Sequence, residues 1–177
     1  MPNNNYNPKI HHRRSIRLKN YDYASDGTYF ATICTQHKEY MFGNVIDGKM
    51  VLNSAGKMIK KWLCELENKF KNIKLNEYII MPNHIHLIIF IMVGANLCVC
   101  PIGIQRIIQW LKTMTTNEYI RNVKQNDWKR FDRKLWQKNY YDRIIRNEKE
   151  LDKIRKYILE NPLKWELDKN NLENLFM

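Results

Sequence analysis

The stretch that decides the fold is Tyr78-Ile79-Ile80-Met81-Pro82-Asn83-His84-Ile85-His86-Leu87-Ile88-Ile89-Phe90. Its β-branched and apolar residues are typical of buried strands, and the Met-Pro-Asn corner is typical of a turn. The sequence therefore predicts two strands, 73–80 and 85–92. The connection between them is so short that the strands must pair antiparallel.

Two histidines interrupt the second half of this stretch. Because side chains alternate along a strand, His84 and His86 are expected to point to the same side. Two imidazoles on one face can share a divalent metal ion. The alternative is that each ring only forms a hydrogen bond at the strand end, and a motif this short does not decide between the two.

Composition and charge favour a nucleic-acid partner. The chain has 177 residues, enough for one domain with a hydrophobic core. Its formal net charge is +12, which suits a polyanion, although charge can also serve solubility alone. Aromatic residues among the cations suit single strands, whose bases stack on rings. These residues are Tyr21, Tyr23, Trp110, Trp128, Phe131, Trp136, Tyr140 and Tyr141.

Other features argue against several classes of protein. There is no apolar run of about 18 residues that would span a membrane, and the polar N-terminus lacks the apolar core of a signal peptide. We therefore expect a cytoplasmic protein. The four cysteines show no Cys-x-x-Cys spacing, which argues against a zinc knuckle or a disulfide scaffold.

Hydrophobic periodicity and capping signals predict the order strand, helix, strand, strand, helix, strand, helix. Besides the two strands above, the expected elements are strands 28–35 and 135–146 and helices 54–70, 104–123 and 148–161. The first six elements follow the ferredoxin-like split βαβ pattern of the α+β class, an antiparallel four-stranded sheet with helices on one face. The seventh is an appended C-terminal helix. We expect a flexible basic arm over 1–15, one domain over 16–168 anchored near its end by Trp165 and Leu167, and a tail over 169–177.

The appended helix carries Tyr157 and Asn161, which lie four residues apart and hence on one face. A tyrosine can act as a covalent nucleophile, and attack on a phosphodiester calls for a metal that neutralises developing charge. With His84 and His86, Asn161 would offer two nitrogens and one oxygen, a set that suits Mg²⁺ or Mn²⁺ better than Zn²⁺. Equally, Tyr157 falls on the apolar stripe of its helix, and Asn161 is a common residue at a helix end.

Three segments together resemble the single-tyrosine HUH transposases, and most closely the branch associated with repetitive extragenic palindromes (REPs). The segments are Met81-Pro82-Asn83-His84-Ile85-His86, then Trp136-Gln137 with Tyr140 to Glu148, and Tyr157-Ile158-x-x-Asn161-Pro162-x-Lys164-Trp165. The likeness extends over residues 13–168. His-x-His alone is a weak signal, but its combination with Tyr-x-x-x-Asn at the ends of a ferredoxin-like chain is a strong one.

The resemblance implies a metal-dependent single-stranded DNA endonuclease and strand transferase that acts on hairpin DNA, such as REP-like palindromes, in the nucleoid. Tyr157 would become joined to a 5′-phosphate, leaving a free 3′-OH. His84 and His86, on a central strand, would hold Mg²⁺ or Mn²⁺, and Asn161 would complete the set at a position where insertion-sequence relatives usually have Gln. DNA contacts would fall to Arg13, Arg14, Arg17, Lys112, Arg143 and Arg146.

Two other functions fit the pattern less fully. One is a non-catalytic module that binds single-stranded nucleic acid on a ferredoxin-like sheet. The other is a replication-initiating or conjugative nicking enzyme, although such chains usually carry further domains. The sequence leaves open whether the protein is a monomer or a homodimer, and whether the tyrosine acts within its own chain.

Overall fold

The computed structural model describes residues 26–92, 103–168 and 170–171. The strands are β1 (Gly27–Cys34), β2 (Gly43–Ile46), β3 (Lys49–Leu52), β4 (Ile73–Ile80), β5 (His84–Ile91) and β6 (Tyr141–Ile145). The helices are α1 (Ser54–Lys69), α2 (Ile104–Gln125) and α3 (Glu148–Glu160), with short 3₁₀ turns at Gln36–Lys38 and Pro162–Leu167.

The larger sheet has the strand order β4-β5-β1-β6, and every neighbouring pair is antiparallel. The predicted α+β, ferredoxin-like arrangement is confirmed, with β5 inside the sheet as expected. The strands β2 and β3 form a separate hairpin between β1 and α1. The turn-forming residues Gly43, Asn44, Asp47 and Gly48 predict a loop or a small hairpin in this segment, and the structure has the hairpin.

The two faces of the sheet serve different purposes. On one face, Ile85, Leu87 and Ile89 of β5 join the main core, to which α1 and α2 contribute their buried stripes. On the other face, Ile88 packs in a smaller cluster with residues of α3, including Ile158. The two helices of the split βαβ unit therefore share one face, and the appended helix covers the other. His84 and His86 belong to the α3 side, because they alternate with Ile85 and Leu87.

The last strand is shorter than predicted. The sequence indicated a strand over 135–146, but only Tyr141–Ile145 pairs with β1, apart from an isolated bridge between Thr35 and Trp136. Leu135 and Trp136 are buried in the main core instead. The indole Nε1 of Trp136 donates to Thr115 Oγ1 of α2 at 2.9 Å. This contact draws residues 135–140 toward α2 and away from strand geometry.

The segment after α3 also differs in part from expectation. Trp165 is 8% exposed and does anchor the chain, but Leu167 is 86% exposed, so its predicted anchoring role is wrong. The 3₁₀ turn explains the difference, since its three-residue period turns Trp165 inward and leaves the residue two positions later facing water. The predicted arm 1–15 and most of the tail 169–177 lie outside the described residues.

Within the described ranges, no helix has the length and the apolar character needed to cross a membrane.

Replacing Gly56 in the first turn of α1 should destabilise the protein, although Ala normally favours a helix by about 1 kcal/mol over Gly. A Cβ atom at Gly56 would lie 2.2 Å from the backbone oxygen of Phe42, which is too close for any side chain. We expect Gly56→Ala to lower the free energy of unfolding by about 1–3 kcal/mol in urea denaturation. Lys60→Ala, at an exposed position of the same helix, should change it by less than about 0.5 kcal/mol. A more stable Gly56→Ala protein would contradict the packing described.

Candidate active site

A cavity of about 400 Å³ opens on the α3 side of the sheet. Its lining combines three tyrosine side chains, an imidazole and several amides on an apolar floor. The lining residues are Phe30, Thr32, Cys34, His86, Gln137, Asn139, Tyr140, Tyr141, Tyr157 and Asn170. The elements that meet there are β1, β5, the start of β6, α3 and the segment after α3.

The predicted histidine pair lies at the inner end of this cavity. His84 and His86 are 0% and 2% exposed, and their Nε2 atoms are 3.0 Å apart. Two nitrogen lone pairs at that distance repel each other. Either one ring donates its proton to the other, or both lone pairs face a shared cation.

Asn83 determines which nitrogen of His84 carries the proton. Its side-chain amide donates to the backbone oxygens of Lys38 and Asn170 at 2.8 and 2.6 Å, so its Oδ1 faces the other way. That oxygen lies 2.9 Å from His84 Nδ1, which must therefore donate a proton to it. The Nε2 lone pair of His84 is thereby directed toward His86.

The electrostatic surroundings keep His84 neutral. Burial lowers the pKa of His84 to about 3, and the positive charge of Lys38 acts in the same direction. A neutral imidazole is the form that binds metals, so His84 has the required form across the physiological pH range. The ring of His86 is held in a similar way, with Nδ1 2.8 Å from Thr32 Oγ1 on the neighbouring strand β1.

Tyr157 reaches the histidine pair from α3 of the same chain. Its hydroxyl lies 3.2 Å from His86 Nε2, and its side chain is 42% exposed, so it is not a core residue. Burial of the hydroxyl and the nearby charge of Asp168 raise the pKa of Tyr157, while a hydrogen bond from the Asn161 amide opposes them. The phenol is therefore protonated at neutral pH.

Asp168 is a candidate ligand that the sequence did not reveal. Its Oδ2 atom lies 4.0 Å from His84 Nε2, and its side chain is 9% exposed. Its Oδ1 atom accepts a hydrogen bond of 2.7 Å from the backbone N–H of Asn170. One ligand atom each from Asp168, His84 and His86 lies within 4.8 Å of the other two. The residue stands in a charged segment without periodicity, so no pattern marked it.

Asn161 ends α3 and is 3% exposed. Among the described residues, no donor contacts its buried Oδ1 atom. A buried carbonyl oxygen in this state is costly unless a cation or water satisfies it. Two imidazoles, a carboxylate and this amide oxygen together fit a divalent cation that accepts mixed nitrogen and oxygen ligands.

Lys112 was predicted to contact DNA, but its ammonium group is largely engaged inside the protein. Its Nζ atom donates to the backbone oxygens of Gln137 and Asn139 at 2.9 and 3.2 Å. Burial lowers the pKa of Lys112 to about 8. The structure thus gives Lys112 a role in holding the loop that precedes β6.

Arg143 and Arg146, which were also predicted to contact DNA, do not line the cavity. Arg143 on β6 forms an ion pair of 2.6 Å with Glu150, whose other oxygen accepts from the backbone N–H of Arg146. The DNA-binding roles of Lys112, Arg143 and Arg146 remain predictions. Arg13, Arg14 and Arg17 lie outside the described residues.

Comparison with known proteins gives a consistent result. The chain matches the family model for IS200-like transposases over residues 33–161. An uncharacterized protein of Haemophilus influenzae is 40% identical over 171 residues, which cover 92% of this chain and 95% of that protein. A solved structure of a REP-associated tyrosine transposase bound to a REP hairpin is similar with a TM-score of 0.60. It has 18% identity, covers 86% of this chain and 74% of the other, and shows a shared fold.

The depressed pKa of His84 should make the protein less stable in mild acid. The unfolded chain binds a proton at this ring below about pH 6.5, whereas the folded protein does not until about pH 3. Stability is therefore lost as the pH falls through this window, by up to about 1.4 kcal/mol per pH unit from this group. Urea denaturation in chelator across pH 4–7 should show a shallower slope for His84→Gln than for the native protein. Equal slopes would contradict a buried neutral ring.

Proposed function

The chain belongs to the IS200-like transposase family, and from this premise we propose that it cuts and rejoins single-stranded DNA through a covalent bond to Tyr157. The family predicted from the His-x-His and Tyr-x-x-x-Asn motifs is confirmed. Membership makes the protein a transposase-type, DNA-cleaving enzyme. The nucleophile, the covalent intermediate and the metal are the parts that we propose.

One observation carries this proposal. The Tyr157 hydroxyl lies within hydrogen-bonding distance of His86 Nε2, in a cavity open to solvent. A tyrosine that only filled the core would have its hydroxyl buried against protein, whereas this side chain is 42% exposed. The phenol is thus both accessible to a phosphodiester and next to the group that would bind the metal.

The reaction follows from the chemistry of a phenol and a phosphodiester. The Tyr157 oxygen forms a bond to phosphorus, and the bond between phosphorus and the 3′-oxygen breaks. The phenolic proton is lost to the surroundings, and the departing 3′-oxygen gains one. The protein then carries a 5′-phosphotyrosine. Attack by a 3′-OH on this linkage reverses the step, so rejoining needs no nucleotide cofactor.

Residues around the phenol set its reactivity. Burial and the Asp168 carboxylate favour the protonated form, while the Asn161 amide donates to the phenolic oxygen and so favours the anion. A positive charge near Asp168 would offset the effect of that carboxylate on the pKa of Tyr157. Asn161 stands one helical turn after Tyr157, so its amide lies on the same helix face as the nucleophile.

A divalent metal would be held by His84, His86 and Asp168, with the Asn161 oxygen as a further ligand. The donor set and the buried Asn161 Oδ1 support this assignment. Mg²⁺ and Mn²⁺ suit it best, since both accept carboxylate and amide oxygens and keep waters. When bound, such an ion supplies polarisation of the phosphoryl oxygens and neutralises charge that develops on them. Asn83 and Thr32 would orient the two rings.

Hairpin DNA is the proposed substrate. The relative of similar fold is a REP-associated transposase bound to a REP hairpin. The net charge of +12 supports a polyanionic partner for this chain as well. We further propose that the monomer is catalytically complete, because Tyr157 meets the histidine pair of its own chain.

Tyr157→Phe should abolish covalent adduct formation while leaving the fold intact, since only the hydroxyl is removed. The measurement uses hairpin oligonucleotides with single-stranded arms of randomised sequence, incubated with Mn²⁺ and resolved in denaturing gels. A 3′ label should migrate with the native protein, and a 5′ label should be released on the fragment that ends in 3′-OH. Tyr141→Phe is the matched control, because Tyr141 lines the same cavity and is 50% exposed. It should retain the adduct. An adduct that persists in Tyr157→Phe would refute the assignment.

Asn83→Ala should weaken metal binding even though Asn83 contacts no metal. The change removes the acceptor that fixes the proton on His84 Nδ1, and losses of this kind cost about 10–100-fold in affinity. Titration of Mn²⁺ followed by electron paramagnetic resonance gives the affinity directly. Asn44→Ala, at an exposed position, should bind Mn²⁺ as the native protein does. Unchanged affinity in Asn83→Ala would show that the ring needs no such support.

A further inference from the structure

A second and larger cavity, of about 800 Å³, lies between α2 and residues 133–140. We call it the α2 groove. It is outside the histidine and tyrosine cluster described above. Its lining residues are Gln105, Ile108, Gln109, Lys112, Thr113, Thr116, Asn117, Arg133, Lys134, Leu135, Trp136, Gln137, Lys138 and Tyr140.

The chemistry of the α2 groove suits a polyanion. Its lining includes four cationic side chains and no carboxylate. Lys134 and Lys138 are exposed, and neither has a carboxylate partner within the described part of the chain. Asp132 stands at the rim, 3.9 Å from Arg133 and 3.4 Å from His37, with all three side chains largely in solvent. Amides and hydroxyls of α2 supply the opposite wall, where they can bond to phosphates or to base edges.

The wall that carries these cations is held in place before any ligand binds. Lys112 Nζ bridges the backbone oxygens of residues 137–139, and Trp136 donates to Thr115. The backbone N–H of Gln137 also donates to the oxygen of Cys34 at 2.9 Å. A preformed wall lowers the cost of ordering on binding.

The α2 groove is continuous with the candidate active site. Gln137 and Tyr140 line both cavities, so a chain that enters one can pass into the other. Tyr140 is half-buried at the junction, with Lys112 Nζ 5.5 Å from its ring centre. An aromatic ring beside cations is the arrangement on which unpaired bases stack.

We infer that the α2 groove binds the single-stranded DNA that adjoins the phosphate at Tyr157, with Lys134 and Lys138 contacting its backbone. The inference rests on the proposed function. It combines the positive charge of the α2 groove with the connection between this groove and Tyr157, the proposed nucleophile. A single strand fits better than a duplex, because the junction offers a stacking ring and the wall offers groups for exposed bases.

The test removes the two lysine charges and compares two DNA probes. Fluorescence anisotropy in chelator, which prevents cleavage, should follow a 20-nucleotide oligo(dT) and a blunt hairpin with a 20-base-pair stem. For Lys134→Gln/Lys138→Gln, we expect oligo(dT) affinity to fall about tenfold at low salt. The slope of log affinity against log salt should decrease by about 1.4, the value for two single-strand phosphates. Affinity for the blunt hairpin should remain unchanged.

Lys57→Gln/Lys60→Gln is the matched control, because it removes the same charge from exposed positions of α1. It should leave oligo(dT) binding close to native. An equal loss on both probes, a loss confined to the blunt hairpin, or no loss would each overturn the inference. The proposed function is judged separately by the Tyr157 adduct. If no adduct forms but oligo(dT) binding is selectively lost, the proposed function fails while the α2 groove still binds single-stranded DNA.

Discussion

The arrangement of the whole site depends on one hydrogen bond, from His84 Nδ1 to Asn83 Oδ1. It directs the other nitrogen of His84 at His86, 3.0 Å away, inside a sheet where neither ring meets bulk water. Asn83 can hold this orientation because its amide N–H groups are bonded to Lys38 and Asn170. A polar pair of this kind is stable in a buried strand only when every donor has a fixed acceptor.

The same corner ties the end of the chain to its middle. Asn170 accepts from Asn83, and Tyr40 donates to Asn171 at 2.5 Å, so the segment after α3 returns to the start of β5. This return brings Asp168 to His84. It also explains why Trp165 is buried, with its ring 5.9 Å from that of His84. The segment thus belongs to the site as much as β5 and α3 do.

The sequence was most informative where the physical cause is local. Alternation along β5 predicted the shared face of His84 and His86, and the four-residue spacing predicted that Tyr157 and Asn161 share one face at the end of α3. What it missed depends on contacts distant in sequence. Residues 135–140 leave the strand because Trp136 and Lys112 bind them to α2, and Asp168 is positioned by bonds across more than 80 residues. Neither effect produces a hydrophobic periodicity or a motif in the sequence.

The placement of Tyr157 beside the histidine pair of its own chain has a kinetic consequence. On the proposed chemistry, strand cleavage is first order in enzyme and persists on dilution, because no second copy completes the catalytic centre. One phenol can hold one DNA end at a time. On this proposal, joining two distant ends would require the DNA to bring two loaded molecules into proximity.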